Sequence, residues 1–288
     1  MNWHDIRDPQ DAELDRLAAR YHLHPLHIED CRHGNQNAKV EESNGYLFAV
    51  LKLVNASSSG AIEIADLDIF LGRDFLITVQ PKDCAPARQL VDQVRAACGE
   101  IRADQAFYRI TDAVVDSYLP LLDRFSDEVD ELENIVLENP APEALARIFT
   151  AKRGMITLRR VLVNTRDVAG HLQRSESDLI RRDMWPFLRD VYDHVARNLD
   201  LIEMQRDLLT GALDIYLSSV ANRTNQVMKV LTVVGTIALP MIVISSFYGM
   251  NTKGLPWIDS PTATMIVAGI MAGTTVVLMI ILRLFRWF

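Results

Sequence analysis

The fold is decided by one uncharged stretch near the end of the chain, VLTVVGTIALPMIVISSFYGMNT, at positions 230–252. These 23 residues lie between Lys229 and Lys253 and contain no charged side chain. As a helix rising about 1.5 Å per residue, the stretch spans ~34 Å, enough to cross a hydrocarbon core of about 30 Å. A second uncharged stretch of 23 residues covers positions 260–282. The sequence therefore predicts two membrane helices, joined by a short loop as a hairpin.

The basic residues beside these two stretches indicate how the hairpin crosses the membrane. Arg223 and Lys229 precede the first stretch, Arg283 and Arg286 follow the second, and only Lys253 lies between them. Lys and Arg are enriched on the cytoplasmic side of membrane proteins. We therefore expect a multi-pass protein of the inner (cell) membrane, with both termini in the cytoplasm and the connecting loop outside.

Composition excludes several classes of protein. The 38 acidic residues outnumber the 30 basic ones and give a net charge of −8, which argues against a nucleic-acid partner and favours attraction of cations. The sequence contains no nucleophile elbow, P-loop or HExxH motif, so an enzyme is not expected. Four histidines at positions 22–33 lack the cysteine or carboxylate partners of a zinc site. No cofactor is expected beyond a transported or regulatory divalent cation.

The residues before the membrane hairpin divide into three predicted regions. Residues 1–110 read as a cytosolic α/β domain, with a helix at Asp11–Tyr21 and strands at Tyr46–Val54, Ile62–Leu71 and Phe75–Val79. Residues 111–185 are predicted to form a helical hairpin. In that hairpin an acidic helix, Thr111–Asn139, and a basic one, Glu143–Val163, are joined by a proline turn. Its complementary surface charges are read as weak, solvated pairs rather than an ion-gathering site.

Residues 186–229 are predicted to form a stalk helix that continues into the first membrane helix of the last region, 230–288. An apolar seam repeats every seven residues, and an acidic stripe repeats with the same period. The seam consists of Leu188, Val195, Ile202, Leu209 and Tyr216, and the stripe of Asp193, Asp200, Asp207 and Asp214. A two-residue offset places them about 200° apart around the helix. The stripe is either a solvated face or, if several copies surround an axis, the lining of a cation funnel.

Several segments resemble the CorA family of divalent-cation channels. They are Tyr248-Gly249-Met250-Asn251 between the two membrane helices, TNQVMKVLT at positions 224–232, and LHPLHIED at positions 23–30. Lys39-Val40-Glu41 and Tyr46-Leu47-Phe48 extend the likeness over nearly the whole chain. The resemblance implies a mixed sheet between helices, a stalk helix continuous with the first membrane helix, and a short second one. It also implies a funnel-shaped homopentamer that carries divalent cations.

The first membrane helix is the expected pore wall. A single hairpin cannot enclose an aqueous path, so transport requires several copies. By resemblance, the lining positions are Asn225, Met228, Leu231, Gly235, Leu239, Ile242 and Ser246, together with the GMN loop. The apolar members would suit helix packing as well as a hydrophobic gate.

Gly249, Met250 and Asn251 are the predicted selectivity loop. Mg²⁺ gives up its water shell reluctantly, so a ring of neutral amide oxygens from Asn251 is suited to a hydrated ion. Gly249 permits the tight turn that ends the helix. Lys253 stands at the outer mouth, where the magnesium branch usually has an acid, and Gly254-Leu255-Pro256 is similar to the ZntB zinc branch. Three functions stay open: Mg²⁺, Co²⁺ or Ni²⁺ transport; ZntB-like zinc transport, possibly proton-coupled; and a non-conducting membrane scaffold or sensor.

A regulatory site is also implied by resemblance. RDVYDH at positions 189–194 matches a family segment in which the first acid contributes to a divalent site between subunits. Asp190 is therefore a candidate metal ligand and Asp193 a weaker one. Asp66 and Asp68 are the candidates considered for its partner acid, without an assignment.

Overall fold

The structure is a computed structural model that describes residues 1–56, 62–99, 101–138, 141–175, 177–250, 256–257, 261–285 and 287. These residues form two compact units, Met1–Asp214 and Ile215–Phe288.

The first unit contains a mixed five-stranded sheet. Its strands are β1 (Asn2–Ile6), β2 (Lys39–Ser43), β3 (Tyr46–Ala56), β4 (Ile62–Gly72) and β5 (Phe75–Val79), in the order β1-β5-β4-β3-β2. β1 pairs with β5 in parallel, and the other neighbours are antiparallel. The predicted strands are confirmed, whereas β1 and β2 were not predicted.

Helices cover both faces of the sheet. They are α1 (Ala12–Tyr21), α2 (Pro25–His33), α3 (Ala85–Ala97), α4 (Ala103–Asp116), α5 (Leu119–Glu138) and α6 (Pro142–Arg174). Tyr46, Phe48 and Val50 pack in one core with residues of α1 and α2. The intervening Leu47 and Leu51 point the other way and are also fully buried, on the face where α4 contacts the sheet. The predicted sheet between helices is thus confirmed.

The helical region after the sheet differs from the prediction in its boundaries. A single helix was predicted over Thr111–Asn139, but α4 ends at Asp116 and α5 begins at Leu119. Pro120 explains the break, because it has no N–H to donate to the carbonyl of Asp116 and its ring would clash there. The following helix extends to Arg174 rather than ending at Val163.

A short 3-10 helix, Arg182–Met184, leads into α7 (Trp185–Tyr248), a helix of 64 residues that begins in the first unit and ends in the second. The seam residues are all buried and the four aspartates of the stripe are all exposed. The predicted continuous stalk and membrane helix is confirmed. α7 and α8 (Ala263–Leu284) are long and apolar enough to cross a membrane.

Candidate cation pathway and metal site

The predicted pore wall lies on one face of the second half of α7. Six of its seven positions on α7 are exposed, and Gly235 is half-buried. Leu231 and Leu239 are 63% and 62% exposed, values far from those of core side chains. A methyl group added at Gly235 would meet no atom within 4 Å. This apolar face therefore has no covering partner among the described residues of a single chain.

The end of α7 is shaped by Gly249. Its N–H donates to the carbonyl oxygen of Ser245 at 2.9 Å, and the N–H of Met250 donates to Phe247 at 3.4 Å. A Cβ at position 249 would lie 3.2 Å from the Ser245 oxygen, a close contact that glycine avoids. A side chain at position 249 would therefore be crowded against the last turn of the helix. Asn251 and Lys253 lie outside the described residues.

α4 and α7 bring three metal-binding side chains together in the first unit. Asp112 and Asp116 of α4 and His194 of α7 offer ligand atoms that all lie within 4.8 Å of one another. Asp190, one turn before His194, has Oδ2 3.6 Å from His194 Nε2. We call Asp112, Asp116, Asp190 and His194 the acidic cluster. Asp190 and Asp193 are both exposed, and of the two only Asp190 contacts His194. Their roles as metal ligands stay predictions.

The acidic cluster carries uncompensated negative charge. Burial raises the pKa of Asp112, and the neighbouring Asp116 carboxylate raises it further. The hydroxyl of Tyr108 donates to Asp112 at 3.4 Å, and burial together with Asp112 raises the pKa of Tyr108 to about 12. In the described part of the chain, no Lys or Arg forms an ion pair with these three aspartates. A divalent cation would supply the missing positive charge, with carboxylate oxygens and one imidazole as ligands.

Asp66 and Asp68 do not supply the partner acid. Lys52 forms a short buried ion pair with Asp66, whose other oxygen accepts from the N–H of Gln36 at 3.0 Å. Asp68 is buried, accepts a hydrogen bond from the Cys31 thiol, and has a pKa raised to about 7 by burial and by Asp66. Both carboxylates are engaged inside their own domain, which disfavours them as ligands of a cation at a subunit surface. Asp112 and Asp116 are the acids that lie beside Asp190.

Three of the four N-terminal histidines have structural surroundings. The buried His27 ring stacks on Phe48 at 4.4 Å, while its nitrogens contact the Tyr46 hydroxyl at 2.8 Å and Glu41 at 2.9 Å. His22 ends α1 in a left-handed conformation, and His24 caps the start of α2 by accepting from Leu26 N–H. The contacts of these three histidines indicate that they stabilise the fold.

The acidic stripe is only partly neutralised. Asp193, Asp200, Asp207 and Asp214 are exposed along the first half of α7. Asp207 contacts Arg206 at 3.4 Å, and that pair is exposed, so it contributes little energy.

Comparison with known proteins identifies the family. The sequence matches the family described as CorA-like Mg²⁺ transporter protein over residues 1–284. The cobalt/magnesium transport protein CorA of Thermotoga maritima is 34% identical over 95% of this chain and 79% of that protein.

Solved structures agree on the fold. The complete CorA magnesium transporter of Methanocaldococcus jannaschii superposes with a TM-score of 0.86 at 24% identity, covering 98% of this chain and 89% of that one. The ZntB cytoplasmic domain of Vibrio parahaemolyticus gives a TM-score of 0.65 at 13% identity over 76% of this chain and 88% of that one. By its sequence over almost its entire length, the chain belongs to the family of CorA-like Mg²⁺ transporter proteins.

Proposed function

We propose that this protein transports divalent cations through the pore of a homopentamer in the inner (cell) membrane, with both chain termini in the cytoplasm. The observation that carries the proposal is the uncovered face of α7, from Asn225 to Ser246, in a chain of the CorA-like family. An apolar face of this kind is stable only against lipid or against other copies of the chain. Five copies around an axis would turn it into the wall of a channel.

The proposed path has polar ends and an apolar middle. Asn225 and Ser246 stand at its two ends, and Met228, Leu231, Leu239 and Ile242 lie between them. A narrow ring of such side chains excludes water when closed and conducts when it widens, which is how hydrophobic gates work. Asp200, Asp207 and Asp214 would form an acidic funnel that raises the local cation concentration on the cytoplasmic side.

Selectivity is assigned to Gly249, Met250 and Asn251. The Asn251 amides would accept hydrogen bonds from the water shell of the ion, which suits Mg²⁺ because it retains its waters. Lys253 would reduce the cation concentration at the outer mouth and so limit flux. The name of the Thermotoga relative gives cobalt and magnesium, and we propose these ions as cargo. The likeness to ZntB involves its cytoplasmic domain at 13% identity, so zinc transport is not preferred. A non-conducting scaffold is not preferred either.

The acidic cluster is the proposed cation sensor. A cation held by Asp112, Asp116, Asp190 and His194 would fix α4 against α7 in the first unit, and α7 continues into the proposed pore wall. Binding at high cytosolic concentration would stabilise the closed arrangement, and loss of the ion would release it. The cation would thus limit its own transport, because it would bind the closed state more tightly than the open state.

Transport is tested by uptake into proteoliposomes. Purified protein is reconstituted, and entry of Mg²⁺, Co²⁺ and Zn²⁺ is followed with ion-specific dyes in wild type, Asn251→Ala, Asn222→Ala and Lys253→Glu. We expect Mg²⁺ and Co²⁺ entry in wild type, a loss of at least about tenfold in Asn251→Ala, and no change in Asn222→Ala. Asn222 is the control because it is an exposed asparagine of α7 that precedes the uncharged stretch and is not one of the proposed lining positions. Lys253→Glu is expected to conduct faster.

Three outcomes would contradict this assignment. Entry of Zn²⁺ alone would establish the zinc alternative. Conduction by Lys253→Glu with a silent wild type would support the scaffold alternative. Absence of flux in every variant would remove the transport proposal.

The sensor is tested by measuring how Mg²⁺ on the cytoplasmic side inhibits uptake. Asp112→Asn and Asp190→Asn should each shift half-maximal inhibition to at least about tenfold higher Mg²⁺, because each removes a ligand and a charge. Asp193→Asn is the matched control, since it removes the same charge from the same helix outside the cluster. Equal shifts in Asp190→Asn and Asp193→Asn would show a general charge effect and exclude the site.

A further inference from the structure

The first unit contains a large cavity that has no part in the proposed cation path. Its volume is about 1040 Å³. It is lined by the edge strand β1 at Trp3, the turn between β4 and β5 at Arg73, the end of α3 at Arg95, and the segment before the 3-10 helix at Arg181. All of these residues belong to Met1–Asp214. The volume is at the upper end of the range of about 300 to 1000 Å³ found for small-molecule sites.

Three arginines of the cavity are free to bind an anion. Arg73 and Arg181 have no side-chain hydrogen bond or ion pair to any described residue, and Arg95 contacts only Trp3. In contrast, Arg102 at the same cavity is bound to both Asp104 and Asp183, at 2.9 Å each. Together with Arg102 the three arginines give the lining four guanidinium groups against the three carboxylates of Asp74, Asp104 and Asp178, a small positive balance in a chain with a net charge of −8. Guanidinium groups bind phosphate oxygens in a bidentate manner.

The other lining residues indicate a ligand that carries an aromatic group and hydrogen-bond donors in addition to phosphate groups. The indole of Trp3 is oriented by its Nε1 hydrogen bond to Thr78 Oγ1 at 3.2 Å, and the Arg95 guanidinium lies 5.8 Å from its centre. An aromatic base can pack against such an indole. Asp74 and Asp178 also line the cavity, and neither carboxylate has a partner among the described residues. They could accept hydrogen bonds from hydroxyl or amino groups, but they would repel a bare inorganic anion.

We infer that this cavity binds a nucleoside polyphosphate, with Arg73, Arg95 and Arg181 holding the phosphates. Trp3 packs against the base, and Asp74 or Asp178 accepts from the sugar hydroxyls or a base amino group. The site is separate from the acidic cluster and from the transmembrane face of α7, so it adds a binding activity to transport.

The inference is tested by calorimetric titration of ATP, ADP and pyrophosphate into the full-length protein in detergent at a fixed free Mg²⁺ concentration. The variants are the double substitution Arg73→Gln with Arg181→Gln, and the control Arg16→Gln. Arg16 is exposed on α1 outside the cavity. We expect one nucleotide per chain in wild type and in the control, and at least tenfold weaker binding in the double variant. Pyrophosphate should bind at least tenfold more weakly than ATP.

The result would be overturned in three ways. Absence of saturable binding of millimolar ATP to wild type would overturn it, and so would wild-type ATP affinity in the double variant. Pyrophosphate binding as tight as ATP binding would reduce the site to a phosphate site without nucleoside recognition. Gel filtration and circular dichroism of the variants confirm that the exposed substitutions leave the fold intact. None of these results depends on whether the protein conducts ions.

Discussion

The two halves of α7 carry similar apolar side chains in opposite surroundings. In the first half, Leu188, Val195, Ile202 and Leu209 are almost completely buried within one chain. In the second half, Met228, Leu231, Leu239 and Ile242 are more than half exposed. One continuous helix thus passes from a region where the chain covers its own apolar face to a region where it does not.

The difference indicates which partner each half requires. Burying apolar surface stabilises a folded protein by about 25 cal/mol for each Å² removed from water. Leaving four apolar side chains uncovered in water is therefore unfavourable. In the first half this stabilisation comes from the folded chain. In the second half it must come from lipid or from other copies of the chain, as the proposed pentamer in a membrane would provide.

The largest expected effect tests the first half. Ile202→Ala should lower the free energy of unfolding by about 2 to 5 kcal/mol, because Ile202 is 1% exposed and its truncation leaves a cavity. Met204→Ala, two residues on and 54% exposed, should change it by less than about 1 kcal/mol. Thermal denaturation of the detergent-solubilised protein measures both. Equal losses in the two variants would contradict the assignment of the seam to the core.

A second prediction tests the second half with a matched pair. Val234 and Leu239 are 57% and 62% exposed but lie about 140° apart around the helix. Val234→Asp places a carboxylate away from the proposed pore, where an acid at the centre of a membrane helix costs about 2.5 to 3.5 kcal/mol. We expect it to reduce the amount of assembled protein in membranes. Leu239→Asp should be better tolerated and should raise the basal ion flux by hydrating the gate.

Quantitative immunoblotting of membranes, with pentamer recovery by gel filtration, distinguishes the two variants. Greater loss in Leu239→Asp than in Val234→Asp would place the pore on the other face of α7.

A third prediction concerns the buried charge of the first unit. The native pKa of Asp68 is about 7, above its ordinary value of 3.8, because burial and Asp66 disfavour its charged form. Between about pH 4 and pH 7 the native state therefore retains a proton that the unfolded state releases, and stability falls as pH rises through this window. Asp68→Asn should remove this loss and stabilise the protein by on the order of 2 kcal/mol at pH 8.

At pH 4 the same substitution should have little effect, because the native Asp68 is then neutral and the Asn oxygen can still accept from Cys31. Melting temperatures of wild type and Asp68→Asn from pH 4 to pH 8 check the sign. If Asp68→Asn raised the melting temperature more at pH 4 than at pH 8, the raised pKa of Asp68 would be contradicted.

The smallest expected effect concerns the acidic stripe. Combined Asp200→Asn and Asp207→Asn should leave stability within about 0.5 kcal/mol, because both side chains are exposed. Flux at low ionic strength should fall a few-fold and recover in high salt, since salt screens exposed charges. A decrease that persists in high salt would exclude the funnel.

Much of the fold could be predicted because local pattern and burial agree. The β-rich runs of β3 and β4 and the seven-residue seam of α7 are strong local signals, and the structure has the strands and the buried seam as predicted. β1 was missed because NWHDI is polar and becomes a strand only by parallel pairing with β5, more than 70 residues away. Such pairing leaves no local signal.

The acidic cluster illustrates how a site depends on distant contacts. Asp190 was predicted, but Asp112, Asp116 and His194 were missed because α4 and α7 are adjacent only in the folded chain. A signal was available: Asp112 and Asp116, and likewise Asp190 and His194, are four residues apart and share a helix face. Asp66 and Asp68 were considered as partner acids for a related reason. The sequence alone does not show that Lys52 lies opposite Asp66 in the register of β3 with β4.

The most direct test of the central claim is Mg²⁺ uptake by Leu239→Cys and Val234→Cys proteoliposomes before and after a charged, membrane-impermeant thiol reagent. The three native cysteines lie in the first unit and are replaced by Ser in both variants. We expect the reagent to block uptake through Leu239→Cys and to leave Val234→Cys unaffected, because only position 239 faces the proposed water-filled path. Uptake that is insensitive to modification at position 239, or blocked equally at both positions, would contradict a pore lined by this face of α7.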